Sequence, residues 1–104
     1  MAELGVTPSF FSAHTYYWGD RHAAIFIGPE RAANMSPARW ALDAGVRFSS
    51  HLDTPVTPML PLQAVWSQVE RQSTSSAIIG RDQRIDSLSA LRAVTIDAAW
   101  QVFM

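Results

Sequence analysis

The sequence contains no cysteine, which excludes disulfides and thiolate metal sites. It also contains no lysine: its eight basic residues are scattered arginines, and the net charge is −1. This charge pattern provides no basic surface for nucleic acid or an acidic membrane. No apolar run approaches the ~20 residues that span a bilayer, and the N-terminus lacks a secretory signal pattern. We therefore expect a cytoplasmic protein that binds neither nucleic acid nor membrane.

Charged residues are scarce, at 16%, whereas apolar residues make up 48% of the sequence and include four tryptophans. A chain of 104 residues forms one domain at most. Strands that are buried on both faces need helical layers on each side, and so short a chain carries more apolar surface than it can easily cover. We expect residues 1–104 to form a segment of one larger domain, with no second domain.

Two apolar stretches, Val6–Ala13 and Val46–Ser50, predict strands. Each follows a glycine, Gly5 or Gly45, in a position that commonly ends a helix. Residues 15–35, between the first strand and the next helix, are predicted to be a long connection, and loops of this length are usually functional or carry local structure.

Three helices are predicted, one between the strands and two after them. The first runs over Ser36–Ala44, with serine as N-cap and Pro37 at the first helical position. The second begins at Pro61, and the third is capped by Asp86 or Ser87. The predicted buried faces carry Leu62, Val65, Trp66 and Val69 in the second helix, and Leu88, Leu91, Thr95, Ala98 and Val102 in the third.

The order strand, helix, strand predicts a parallel pair, because a helical crossover connects parallel strands. The fold class is therefore α/β. Two parallel strands make neither a closed barrel nor a covered sheet, so this pattern is typical of the end of a larger α/β architecture.

Ionisable side chains follow both predicted strands. His14 ends the first strand, and His51 and Asp53 end the second, two residues apart and so on one face of an extended backbone. Thr54-Pro55 then breaks the strand. Ligands bind at the carboxyl edge of such sheets, and Asp53 is therefore the first candidate for catalysis. The alternative role for Asp53 is a turn cap.

Each of the other candidates has two possible roles, one functional and one structural. His14 either contacts substrate or is a half-buried histidine bonded to the backbone, and His51 either orients the Asp53 carboxylate or is a packed histidine. Tyr16, Tyr17 and Trp18 either line a pocket or only cover one end of the fold. Asp20 and His22 have a spacing that metal ligands use, although such polar triplets are frequent in loops.

The chain resembles amidohydrolase family 3 along nearly its whole length. The similarity lies in SFFSAHTYYWGDRH, in GPERAANMSPARWALDAGVRFSSHLDTPVTPMLPLQAVWSQVERQ and in RIDSLSALRAVTIDAAWQ, in that order. These proteins are metal-dependent hydrolases of the amidohydrolase superfamily, a group that includes N-substituted formamide deformylases.

The resemblance implies the C-terminal portion of a (β/α)8 TIM-type barrel, with Val6–His14 as strand seven and Val46–Asp53 as strand eight. It implies a small-molecule amide-type substrate, a divalent metal, most simply zinc, and a metal-contacting, proton-shuttling role for Asp53. Substrate contacts would come from His14, His51, Tyr16 and Trp18. One departure is Leu52, where the family usually has a small polar residue.

The sequence lacks the other metal ligands of that family: the His-x-His pair of the first strand, the bridging residue of strand four and the histidines of strands five and six. Because zinc needs three or four protein donors, we expect the chain alone to be inactive. The rival reading is a non-catalytic, truncated α/β protein that self-associates, as a homo-oligomer, or docks on a partner.

Overall fold

Two parallel strands lie at the centre of the structure, a computed structural model that describes residues 1–104. The strands and α-helices are β1 (Ser9–Phe10), α1 (Ala13–Arg21), α2 (Pro29–Ala33), α3 (Ala38–Asp43), β2 (Ser49–Ser50), α4 (Pro61–Glu70), α5 (Ser87–Val94) and α6 (Ile96–Gln101). A π-helical turn, His22–Phe26, continues α1, and short 3-10 turns occupy Ala2–Leu4 and Arg81–Gln83.

The parallel pairing of the two strands is confirmed. Ser9 lies opposite Ser49 and Phe10 opposite Ser50. The N–H of Ser49 donates to the Pro8 carbonyl at 3.0 Å, and the N–H of His51 donates to the Phe10 carbonyl at 2.9 Å. The α/β class is therefore correct, with two parallel strands and several helices.

Both strands are shorter than the predicted Val6–Ala13 and Val46–Ser50. α1 already begins at Ala13, so His14 lies in the first turn of a helix and not at the end of a strand. With only two strands in the sheet, ladder hydrogen bonds form only where β1 and β2 face each other. The remaining predicted strand residues have no neighbouring strand to pair with.

One face of the sheet packs against helices and forms the core. The rings of Phe10 and Phe48 lie 5.3 Å apart on this face. The main buried cluster consists of Ala38, Ala41, Phe48, Ile85, Ala90 and Ala93. A second cluster combines Ala13, Leu52 and Ala64. The helix contacts are thus made largely by alanines, which let helices approach the sheet closely.

The opposite face is covered only near the N-terminal ends of the strands, by α6. Arg47 forms an ion pair with Asp97, at 3.5 Å, and its guanidinium lies 4.2 Å from the centre of the Trp100 ring. Ser49 Oγ donates a hydrogen bond to the side-chain carbonyl of Gln101. Because side chains alternate along a strand, His51 belongs to this same face.

The long connection at residues 15–35 carries local structure, one of the two outcomes expected for a segment of this length, because most of it is helical. α1 covers its first part, the π-helical turn its middle and α2 its end. Gly19 is compatible with α1 because it lies where α1 meets the chain near Ile79: a Cβ at Gly19 would be only 3.0 Å from the Ile79 side chain. This residue therefore serves close packing and does not break the helix.

The predicted buried faces of the later helices are also wrong in part. Leu62 and Leu88 are 72% and 68% exposed, whereas Ala64 and Ala90 are fully buried. Val65 and Val69 pack partly against the main cluster, as predicted. Small residues take the innermost positions because only they allow close helix–sheet approach, and the large apolar residues remain outside.

Local signals at helix ends were more dependable. Gly5 and Gly45 have φ of 64° and 68°, the left-handed conformation expected after a helix. Pro61 begins α4, and the Asp86 carboxylate accepts from the Ser89 N–H at 2.9 Å. The Ser36 cap is wrong: α3 begins only at Ala38, and no side chain caps it.

Candidate active site

A row of rings runs along the carboxyl ends of the two strands. Centroid distances are 5.8 Å from Phe26 to His22, 5.4 Å from His22 to His14, 4.0 Å from His14 to Phe11, and 5.0 Å from Phe11 to His51. We call these five residues the ring row. It brings together two of the predicted site residues, His14 and His51, through a phenyl ring that neither prediction included.

α1 builds most of the ring row through a four-residue spacing. His14, Trp18, His22 and Phe26 follow one another at this interval. In an α-helix of 3.6 residues per turn, a four-residue step drifts about 40° around the axis. The wider π-helical turn at His22–Phe26 counteracts this drift, which keeps Phe26 in contact with His22.

A backbone hydrogen bond fixes the His22 ring. Its Nδ1 lies 2.7 Å from the Trp18 carbonyl oxygen. Since a carbonyl oxygen only accepts, Nδ1 carries the proton and donates it, and Nε2 is the atom left for another partner. His22 is therefore oriented before any ligand arrives.

His14 is half-buried in the middle of the ring row. Burial lowers its pKa below the usual value, and nearby His22 lowers it further; Asp53 acts in the opposite direction, and His51 lowers it again. His14 is therefore neutral at neutral pH and can donate through one ring nitrogen and accept through the other.

Asp53 follows β2 and His14 follows β1, so both lie beyond the carboxyl ends of the two parallel strands, as predicted. The Asp53 charge also raises the pKa of His14, against the effect of burial. Asp53 is exposed and has φ of 53°, a left-handed conformation that aspartate tolerates better than most residues. The backbone therefore leaves the extended conformation at Asp53, and strand alternation cannot be used to place Asp53 on the His51 face.

The position of Leu52 explains why an apolar residue stands there. Leu52 is 8% exposed and packs with Ala13 and Ala64. Strand alternation directs it to the helix side of the sheet, whereas its neighbour His51 is exposed and stacks on Phe11. The apolar residue at this position thus anchors the strand end to α1 and α4.

Two of the three aromatic candidates, Trp18 and Tyr16, lie on different sides of α1. Trp18 meets His14 edge to face at 5.2 Å and so borders the ring row. Tyr16 instead packs edge to face against Trp66 of α4, at 5.6 Å. Tyr16 also lines a separate cleft of about 410 Å³ with Leu60, Gln63 and Trp66. The structure therefore does not bring Tyr16 together with His14 and His51.

Asp20 and His22 do not act as a pair. The Asp20 carboxylate accepts from Ser73 Oγ at 2.7 Å and from Ser75 Oγ at 2.9 Å. These bonds lower the pKa of Asp20. Asp20 thus fastens the loop after α4 to α1, while His22 belongs to the ring row.

The residues of this chain do not fit a complete metal site. No group of three or more histidine, cysteine, aspartate or glutamate side chains lies close enough to hold a metal ion. Asp53 offers a carboxylate, and His22 offers Nε2, but zinc needs three or four protein donors. Any metal at this edge would take most of its ligands from residues beyond these 104.

Two clefts border the strands. One, of about 340 Å³, lies beside the end of β2 and is lined by Ser50, His51, Leu52, Thr54, Met59, Pro61 and Val94. The larger one, of about 630 Å³, lies between the N-terminal turn and α3, with Phe10 and Trp40 in its wall. Of these two clefts, only the smaller one is lined by a predicted site residue, His51.

Comparison with known proteins identifies the family to which the chain belongs. A sequence profile described as the amidohydrolase family matches residues 1–104. The chain belongs to the amidohydrolase family. It is similar to an N-substituted formamide deformylase from Arthrobacter pascens, with 29% identity over 99 residues. The match covers 95% of this chain but only 18% of that amidohydrolase. No solved structure matches the chain.

Two members of the ring row, Phe11 and Phe26, were not among the predicted site residues, and His22 was a candidate only together with Asp20. A usable signal was present: the rings of His14, Trp18, His22 and Phe26 repeat every four residues. This period is close to that of a helix. The sequence alone left the structure of residues 15–35 open, so this repeat was not placed on a helix.

Every helix falls short of the length and apolar character that crossing a bilayer requires.

Proposed function

We propose that residues 1–104 supply the last two strands of the (β/α)8 barrel of a metal-dependent hydrolase. The observation that supports this most is that His14 of the ring row and Asp53 follow the carboxyl ends of two parallel strands. In α/β barrels that edge carries the catalytic residues. Membership of the amidohydrolase family supports the same assignment.

The proposed reaction is hydrolysis of a non-peptide carbon–nitrogen bond of the amide type. Water adds to the carbonyl carbon, the C–N bond breaks, and the products are a carboxylic acid and an amine. Asp53 accepts a proton from the attacking water and transfers it to the leaving nitrogen, as a general base and then a general acid. Its exposure leaves the carboxylate accessible for both transfers.

A divalent metal, which we propose to be zinc, activates water for attack at neutral pH in such reactions. Asp53 is the one residue of this chain that we propose as a ligand. The remaining ligands would come from other parts of a longer polypeptide, in keeping with the 18% of the relative that this chain covers.

Substrate contacts are proposed for the residues around Asp53. Neutral His14 can hydrogen-bond the uncharged amide, and exposed His51 can orient it from the β2 side. Trp18 would border the bound substrate next to His14. Tyr16 would contribute only through the neighbouring cleft it lines.

A segment exchange tests this function. The matching segment of the Arthrobacter pascens enzyme is replaced by residues 1–104, and release of amine from an N-substituted formamide is measured. We expect zinc-dependent hydrolysis above that of the enzyme lacking the segment. A folded chimera that binds zinc but never releases amine would contradict the proposal.

A second candidate function, as a self-associating non-catalytic protein, is favoured by a different observation. Large apolar side chains are exposed over much of the surface, including Leu62, Leu88 and Ile96 at 60% or more. Where exposed apolar side chains adjoin one another, they commonly mark an interaction site. We therefore expect the 104-residue chain alone to associate with itself.

A further inference from the structure

Three consecutive apolar residues are exposed next to the ring row. Ile25, Phe26 and Ile27 are 69%, 61% and 36% exposed. They lie in the run His22–Gly28, in which no residue carries a permanent charge. We call Ile25–Ile27 the apolar lip. Exposure of three large apolar side chains in a row is unfavourable in water, so this surface needs an explanation.

The apolar lip is continuous with the candidate active site. The Phe26 ring meets the His22 ring at 5.8 Å, and His22 stacks on His14 at 5.4 Å. The lip starts within a π-helical turn and is followed by Gly28, with φ of 81°. π-Helical turns occur frequently at functional sites, and here the turn holds Phe26 against the row.

We infer that the apolar lip receives the uncharged, apolar substituent of the amide-type substrate. This inference rests on the proposed function, because it assumes that the scissile bond lies near Asp53. The substrate then extends along the ring row, with its reacting carbonyl toward His14 and Asp53 and its substituent past His22 toward Phe26. Phe26 is a specificity-determining residue in this arrangement.

The composition of the lip decides which substituent it takes. Residues 23–27 offer no side-chain hydrogen-bond donor or acceptor, and the Arg21 guanidinium lies 5.9 Å from the centre of the Phe26 ring. A neutral polar group there would lose its water without a partner from the lip, and a cationic group would also meet the Arg21 charge. An alkyl group instead gains up to about fourfold in binding for each methylene removed from water. The lip therefore favours longer alkyl substituents over short ones.

The test compares N-alkylformamides of increasing chain length, from methyl to hexyl, in the segment-exchange chimera. We expect kcat/KM to rise by up to about fourfold per added methylene. In Phe26→Ser we expect this rise to be lost, so that kcat/KM no longer increases with the length of the alkyl chain. Phe103→Ser is the matched control: Phe103 is 99% exposed and lies in a cleft with Thr7, near the start of β1.

Binding to the 104-residue chain separates this inference from the proposed function. Calorimetry with N-hexylformamide and N-methylformamide is expected to show tighter binding of the hexyl compound, and Phe26→Ser abolishes the difference. If the chimera is inactive but this pattern holds, the proposed function fails and the lip stands. If neither binding nor the chain-length series responds to Phe26→Ser or Ile25→Ser, the inference is overturned, and the lip instead packs against polypeptide.

Discussion

The imidazole rings of His14 and His22 lie 5.4 Å apart between centroids and 28° from parallel. They are eight residues apart in the sequence and reach each other along one face of α1. Two protonated imidazoles at this distance repel each other, which together with burial lowers the pKa of His14. This pair is the centre of the ring row, and its charge state has a consequence for stability.

The unfolding free energy is predicted to fall as the pH drops below about 6.5, in part through His14. In the unfolded chain the pKa of His14 is about 6.5, and in the folded chain it is lower. Between these values the unfolded state binds more protons, so stability rises with pH in that window. The His14 contribution is complete above about pH 6.5 and is lost as the pH falls through the folded value.

Urea unfolding of the wild-type chain and of His14→Gln at several pH values measures this effect. We expect a smaller loss of stability in His14→Gln than in the wild type. The groups that act on His14 are His22, Asp53 and His51, and all three are kept in the variant. An equal pH dependence in both proteins would show that His14 is not held neutral.

Arg71 is predicted to be essential for stability. It is 1% exposed, and its guanidinium donates to the carbonyl oxygens of Ala33, Met35, Ser36 and Ile79 at 2.7–3.2 Å. Burial lowers its pKa to about 10. Arg71→Met leaves these buried carbonyls without donors, and we expect a loss of about 3 kcal/mol or more.

The control for Arg71 is Arg81→Met, because Arg81 is exposed. We expect a change within about 0.5 kcal/mol there. Chemical unfolding of the two variants, each compared with the wild type, measures both values. Similar small effects would mean that the four carbonyls find other partners when Arg71 is removed.

The contacts of Arg71 also show why part of the fold could not be predicted from the sequence. Three of its partners come from the segment that precedes α3, more than 30 residues away. No local pattern around Arg71 contains that information. By contrast, the helix ends at Gly5, Gly45 and Asp86 depend on one or two neighbouring residues and were predicted correctly.

As with the fold, part of the candidate site could be predicted from the sequence and part could not. Asp53 and His14 were placed at one end of a parallel pair because the crossover rule fixes that geometry. The ring row depends on the helical geometry of residues 13–26, whereas the sequence left the structure of residues 15–35 open. The buried helix faces were wrong at Leu62 and Leu88, since periodicity alone does not show that small residues face the sheet.

The 104-residue chain is predicted to associate with itself at high concentration. β1 and β2 each have one edge without a neighbouring strand, and such edges pair with other chains. Leu62 and Leu88 add apolar surface at 72% and 68% exposure. Sedimentation velocity over a range of concentrations measures the effect.

The double variant Leu62→Gln, Leu88→Gln serves as the comparison. Because both side chains are exposed, the variant keeps the core and is expected to associate less than the wild type. A monodisperse wild-type monomer with a sharp unfolding transition that does not depend on concentration would contradict the prediction.

The 104-residue chain alone is predicted not to hydrolyse amides. Its histidine and carboxylate side chains form no group of three that could hold a metal ion. Amine release from an N-substituted formamide, with and without added zinc, is the measurement. Zinc-dependent release that disappears in Asp53→Asn would show that the chain carries a complete site.

We propose that Asp53 transfers a proton from the attacking water to the leaving nitrogen, in a hydrolase site whose other residues come from a longer polypeptide. The most direct measurement is kcat/KM of the segment-exchange chimera carrying Asp53→Asn or, as control, Asp82→Asn, an exposed aspartate in the turn Arg81–Gln83. We predict a loss of at least about 100-fold for Asp53→Asn and an unchanged rate for Asp82→Asn. A folded, zinc-loaded Asp53→Asn chimera with wild-type kcat/KM would contradict the account.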